Sequence, residues 1–294
     1  MKSYKSTFSQ REGYVPLPEA LQLEELPRAF RLEMELCLTK AMELYQHEER
    51  FAIGKKKAAN WEIILRDIWV QFLNQPLSQY FGMHQVLEGL IRIVHHGEFY
   101  EVFDVIEELV NRTIDDQPQF YKDIKTVFER RRLAYRLVGS NSLGYVIVPT
   151  TNEHEVVTVS TTFDLLSLKA GSFDSVLKHL MNAGQLLREG KDSKSIGEST
   201  SAVESAFRIL TSNNKEHNVV AEEYFKSTNI HPVIKKHVGM PYQFASDISD
   251  GRHSTKEVGY NTDQFDSQYI FTICCSVIQY LINKKDANKA TILS

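Results

Sequence analysis

The sequence predicts a mainly α-helical protein of two domains, the first closed by a small β-hairpin. Three observations carry this. Apolar residues recur every three or four positions through most of the chain, the spacing of one buried helical face. One stretch, Tyr145-Val146-Ile147-Val148, is rich in β-formers, follows turn residues and is stopped by Pro149. The chain has 294 residues, which suits one large or two ordinary domains. The boundary is placed at Thr150 to Glu153, giving domains 1–152 and 153–294.

Residues 1–18 are polar and end in Pro16-Leu17-Pro18, a bend before a helix that starts at about Glu19. Leu21, Leu23 and Leu26 make a short apolar turn, interrupted at Pro27. Phe30, Met34, Leu38 and Met42 repeat every four, widened by Leu36 and Cys37, and predict a helix to about His47. Gly54-Lys55-Lys56-Lys57 reads as a solvated basic turn, with phosphate contact as the other reading. Trp61, Ile64, Leu65, Ile68 and Phe72 share one face, so these aromatics are expected in a core, and Pro76 is expected to break the helix. Met83 to His96 forms the next helix; His95 and His96, before Gly97, read as a cap rather than a metal pair.

Phe99, Val102, Phe103, Ile106, Leu109 and Val110 mark a further helix, and Phe120, Ile124, Val127 and Phe128 another. The latter ends in Arg130-Arg131-Arg132, followed by Arg136. These cations suit a helix C-terminus, with an RNA-facing edge as the second reading. Gly139 to Gly144 supplies the hairpin turn. Residues 154–168 are open between strand, on Val and Thr content, and helix, on the spacing of Val156, Val159, Phe163 and Leu166. Helices follow from Ser172, with Val176, Leu177, Leu180 and Leu187 inside, and from about Ser193 to Ser212, with Ile196, Thr200, Val203, Phe207 and Leu210 inside. Glu204 lies at the margin of that apolar face with Arg208 four residues on, a surface pair or a carboxylate reaching into a cleft. Short helices are expected at Ala221–Ser227 and Ile230–His237, then a loop from Gly239. Phe265 to Asn283 carries an apolar arc too broad for one buried side. It is either the central helix of a bundle or a helix that also packs on a second subunit.

Composition narrows function. Hydrophobic residues at 42% and charged residues at 24% describe a globular chain. The net charge of −4 argues against a surface coated in cations for duplex nucleic acid, though it leaves room for a local basic pocket. Met1 to Arg11 has no apolar run, so no signal peptide is expected, and no run approaches the ~18 residues of a membrane helix. Three cysteines, two of them adjacent in an apolar pattern, read as reduced core residues. A cytoplasmic protein without membrane or metal is expected. The N-terminal half shows no Gly-rich phosphate loop, no Ser-His-Asp pattern and no metal-ligand spacing.

The stretch that points to chemistry is Ser246 to Gly259, SDISDGRHSTKEVG. It sets Arg252, a rigid phosphate-reading fork, beside His253, which exchanges protons near neutral pH, with Asp247 and Asp250 just before them. On composition alone such a pair is more often solvated surface or a helix cap than a site.

In order and spacing, several segments resemble the AbiJ-type abortive-infection proteins, which join a helical N-terminal domain to a C-terminal HEPN domain. They are FSQREGYVPLPEALQLEEL (8–26), ILRDIWVQFLNQPL (64–77), FYEVFDVIEEL (99–109), GYVIVPTTNEHE (144–155), SKSIGESTSAVESAFRIL (193–210), IHPVIKK (230–236), SDISDGRHS (246–254) and QYIFTICCSVIQYLINKK (268–285). The resemblance implies a helix at 154–168 and a HEPN-like four- or five-helix bundle that dimerises. It implies a metal-independent endoribonuclease, free of cofactors, with Arg252 and His253 catalytic at a cleft shared by two subunits. Glu204 would orient them, while Asp250, Arg208 and Lys256 would meet the RNA. Partners implied are cellular RNA, a second copy, and a phage trigger or antitoxin. The sequence departs from the usual Arg-polar-x4–6-His pattern, because Glu257, Val258 and Gly259 stand where the later His belongs. The alternative is a non-catalytic module that binds RNA or nucleotide, or regulates another toxin.

Overall fold

The computed structural model describes residues 23–50, 62–115, 117–248 and 262–293. It is mainly helical, with one two-stranded antiparallel hairpin. The chain divides into two compact units, Met1–Tyr135 and Arg136–Ser294.

In the first unit, α1 (Arg28–Arg50) packs on α2 (Met83–His96) and α4 (Pro118–Arg130), with α3 (Phe99–Thr113) beside α2 and α4. The stripe Phe30, Met34, Leu38 and Met42 is buried along α1, and Phe30 meets Phe128 edge-on at 5.4 Å. Arg31 Nη1 donates to the carbonyls of Val94 and Gly97, at 2.7 and 2.9 Å, satisfying acceptors that the end of α2 leaves open. His95 bonds Glu35 of α1 at 2.7 Å, while Gly97 N–H closes α2 on Ile93 O. Arg130 and Arg131 both pair with Glu33 of α1, an internal use of that basic run.

One helix departs from its sequence reading. Residues 62–67 are α-helical, but Ile68–Phe72 widens into a π-helix that ends before Pro76. The extra residue per turn rotates Trp69 into the core, where its indole N–H donates to Pro76 O at 3.0 Å. Trp61 lies outside the described residues, as do Glu19 and the 54–57 turn.

The second unit opens with β1 (Tyr135–Ser140) and β2 (Gly144–Pro149). Gly139 has φ +148°, and a Cβ there would stand 2.1 Å from Gly144 O, so the hairpin requires glycine at that position. By packing, the hairpin lies with the second unit, whereas the sequence reading attached it to the first. Six helices follow: α5 (Glu153–Leu168), α6 (Asp174–Arg188), α7 (Asp192–Thr211), α8 (His217–Thr228), α9 (Pro232–Ile248) and α10 (Gln264–Leu293). The ambiguous stretch is thus helical. Asn152 caps it by accepting from Glu155 N–H, and the Thr162 hydroxyl is satisfied within the bundle. Thr162 donates to Thr158 O at 2.7 Å, and Gln279 of α10 reaches both residues.

α7 lies against α6, α8, α9 and α10 at the centre of this unit. Phe163, Leu180, Phe207, Tyr224, Phe271 and Ile278 are all buried in one cluster. The cysteines are free and buried, and burial pushes the Cys275 thiol up to about 12 and Cys37 to about 11. Three helices outrun their sequence limits. α8 begins at His217 rather than Ala221, α9 continues through Pro241 to Ile248, and α10 runs on to Leu293 rather than ending at Asn283. Proline costs about 3 kcal/mol inside a helix, and here burial of Pro241 among the residues facing α10 offsets it. Among the described residues no helix is long and apolar enough to cross a membrane.

α6 meets β2 at Gly184, where an added Cβ would lie 2.2 Å from Val148 Cγ1. Gly184→Ala is expected to destabilise the chain by about 1–3 kcal/mol through overpacking. Val148→Ala in the same chain should recover part of that loss, and urea unfolding of the four chains measures the coupling. Additive losses would show that the contact is relieved elsewhere.

Candidate functional site

Three helices of the second unit gather charged and titratable groups at one place. The apolar period of α7 turns Ala202, Val203, Ala206 and Phe207 inward, which leaves Glu204 and Arg208 on the margin. Arg208 Nη2 donates to Glu204 Oε1 at 2.6 Å, and Arg208 Nε donates to the Lys215 carbonyl at 3.4 Å. Ser212, in the left-handed region, ends α7, and a polar turn returns the chain into α8.

The first residue of α8 is His217, only 6% exposed. Its ring meets Phe207 edge-on at 5.6 Å and stacks on Tyr242 of α9 at 4.0 Å, 5° from parallel. Its Nδ1 is buried without a hydrogen-bond partner among the described residues. Burial holds the imidazole below its ordinary pKa; the Glu204 charge pulls upward and the Arg208 charge downward. A neutral imidazole beside a carboxylate and a guanidinium has the parts needed for proton transfer next to an anion.

The sequence-predicted residues divide. Glu204 and Arg208 belong to this group. Arg252, His253, Asp250 and Lys256 lie outside the described residues, and only Ser246–Ile248 of the polar stretch is described, as the last turn of α9. His217 was missed by the sequence reading, although it starts the spacing His217, Val220, Ala221, Tyr224, an apolar stripe with an imidazole on it. Beside the same turn, Asn213, Lys215, Asn218, Glu222 and Lys226 line an open cleft of about 740 Å³. Among the described residues no group of His, Cys, Asp or Glu is arranged to hold a metal ion.

Because His217 takes up a proton less readily folded than unfolded, the unfolded chain binds it first. Stability is therefore fully present above the unfolded-state value and should fall as pH drops below about 6.5. His217→Phe keeps the ring packing and should flatten that slope. Urea unfolding across a pH series tests this, and equal slopes in the two proteins would remove His217 as the cause.

A family model described as AbiJ N-terminal domain 4 matches residues 6–165, more than half of the chain. No curated protein and no solved structure matches it.

Proposed function

The chain belongs to the AbiJ N-terminal domain 4 family, and on that ground we propose that it acts in abortive-infection defence through a HEPN-type, metal-independent endoribonuclease in its C-terminal bundle. The observation that carries this reading is the Arg252-His253 pair between α9 and α10, in a helical unit whose α7 presents Glu204 at its margin. The reaction is attack of a ribose 2′-hydroxyl on the adjacent phosphorus. The new P–O2′ bond forms as the P–O5′ bond breaks, leaving a 2′,3′-cyclic phosphate and a 5′-hydroxyl. His253 takes the 2′-hydroxyl proton and returns one to the departing 5′-oxygen. Arg252 stabilises charge on the phosphorane-like transition state, and Glu204 orients the pair. Asp250, Arg208 and Lys256 meet the RNA, and a second copy completes the cleft. The N-terminal part senses a phage trigger, restrains the bundle or recruits an antitoxin-like partner.

Glu257-Val258-Gly259, where the usual motif places its later histidine, favours a second reading. In it the bundle binds RNA or a nucleotide without cutting, or regulates another toxin.

Incubation of the purified protein with tRNA and total RNA, with and without phage lysate, separates the two. Arg252→Ala and His253→Ala should each lower cleavage by about a hundredfold or more while RNA binding persists in His253→Ala. RNA left intact by the wild type, with affinity lost in Arg252→Ala, would instead establish the binding module. Glu204→Gln should reduce cleavage while costing less than about 0.5 kcal/mol of stability, since its ion pair with Arg208 is partly exposed.

A further inference from the structure

α9 and α10 face each other across a groove. Asp266, Tyr269, Ile273, Ser276 and Tyr280 of α10 recur every three or four residues, so they share one face, and all of them line it. Ile234, Met240 and Phe244 of α9 wall the other side, and the space between is about 490 Å³. Val238, Ile270 and Val277 form a buried floor, whereas Tyr269 is 61% exposed and Met240 50%. Clefts that hold small molecules measure about 300–1,000 Å³ and are mostly apolar or aromatic, with a few polar groups that fix orientation. The α9–α10 groove matches them in size and lining.

Its charge is one-sided. Asp266 is the carboxylate in the lining, His237 is the basic side chain, and among the described residues neither Lys nor Arg lines the groove. Asp263 sets a second carboxylate beside Asp266. Its Oδ1 accepts from Asp266 N–H at 2.9 Å, and Asp266 Oδ2 accepts from Asp263 N–H at 3.3 Å. Asn288, late in α10, donates to Thr228 O just ahead of α9, so the two helices run in opposite directions. Phe244, late in α9, therefore falls at the Asp266 end with Tyr269, and His237 falls at the other. Aromatic faces attract a cation, and a carboxylate beside them adds to the attraction. An RNA backbone would meet a carboxylate at that end and no guanidinium or ammonium.

We propose that the α9–α10 groove binds a small organic ammonium. The apolar body of the molecule lies along Ile273 and Val277, and its charged nitrogen meets Asp266 and the rings of Tyr269 and Phe244. A molecule seated there ties α9 to α10, the two helices that stand in sequence on either side of Arg252 and His253. Occupancy therefore controls RNA cleavage, a consequence that rests on the ribonuclease reading above. The site itself rests on shape and charge.

Isothermal titration of the full-length protein with phenylbutylamine tests the site, and phenylbutyrate, the same apolar body with the opposite charge, is the comparison. The amine is expected to bind with a Kd below about 1 mM and at least about tenfold tighter than the carboxylate. Asp266→Asn should abolish that preference, and Tyr269→Ala should weaken the amine about fivefold. Ser276→Trp, at an exposed lining position, should block both compounds with unchanged circular dichroism. Val219→Glu, at an exposed position on α8, should alter neither. A wild type that binds neither compound, prefers the carboxylate, or keeps its preference in Asp266→Asn overturns the proposal. So does light scattering in which Ser276→Trp turns a wild-type dimer into a monomer, because a second copy is then the occupant. In an RNA cleavage assay, saturating amine should change the rate about fivefold or more, and an unchanged rate removes the control over cleavage. A protein that binds the amine but never cuts RNA ends the ribonuclease reading and leaves the site standing. One that cuts RNA without binding the amine loses the site alone.

Discussion

A buried carboxylate sets the frame of the second unit. Glu155, nearly inaccessible to solvent, accepts from Thr151 N–H and hydroxyl, from Asn152 Nδ2 and from Gln268 Nε2. Burying such a charge unaided would cost several kcal/mol. Four donors and the positive end of α5 offset that cost together. Gln268 also donates to Pro149 O. One side chain thereby joins the end of the hairpin, the start of α5 and the start of α10. The position at which α10 begins follows from this knot.

From that fixed start, α10 is carried through the bundle by satisfied polar contacts as well as by apolar packing. Gln279 bonds Thr158 and Thr162 of α5, and Tyr224 of α8 donates its hydroxyl to Leu281 O at 2.5 Å. Ser267 donates to Asp192, which opens α7. Each bond ties α10 to a different helix, and each is a buried or half-buried group that would be costly to leave unpaired. α7 is located in the same way, and so therefore are Glu204, Arg208 and the imidazole packed beside them.

Much of the fold was legible in the sequence because its helices are amphipathic in the ordinary way. Met83–His96 was read to the residue, and the stripes of α1, α3 and α4 proved buried apart from Leu36, which is exposed, and Phe99, which is half-buried. What escaped were places where tertiary packing overrides a local rule. Trp69 is buried by a π-turn that no 3.6-residue template anticipates, and Pro241 remains helical because its surroundings bury it. The hairpin was recognised, but its packing partner was not, since the close approach of Val148 to Gly184 is a matter of shape. At the candidate site, Glu204 and Arg208 were visible from their spacing. His217 was not, because its significance lies in a neighbour on another helix, Tyr242, that spacing cannot reveal. Arg252 and His253 were singled out by residue type and by the family resemblance, and the described residues do not include them.

The limits of α5 bear on how such a chain can be recombined. The family-matched segment stops at residue 165, inside Glu153–Leu168, while Phe163 and Leu166 of that helix are embedded among α-helical neighbours further along the sequence. A gene fusion cut at that border would divide a helix and strip its inward face. Exchange of C-terminal halves between relatives would then succeed only when the incoming half carries a surface shaped for a foreign α5. The family-matched segment thus stops at a different point from the folded unit, and the hairpin with α5 belongs to both, so any replacement has to be accommodated through it.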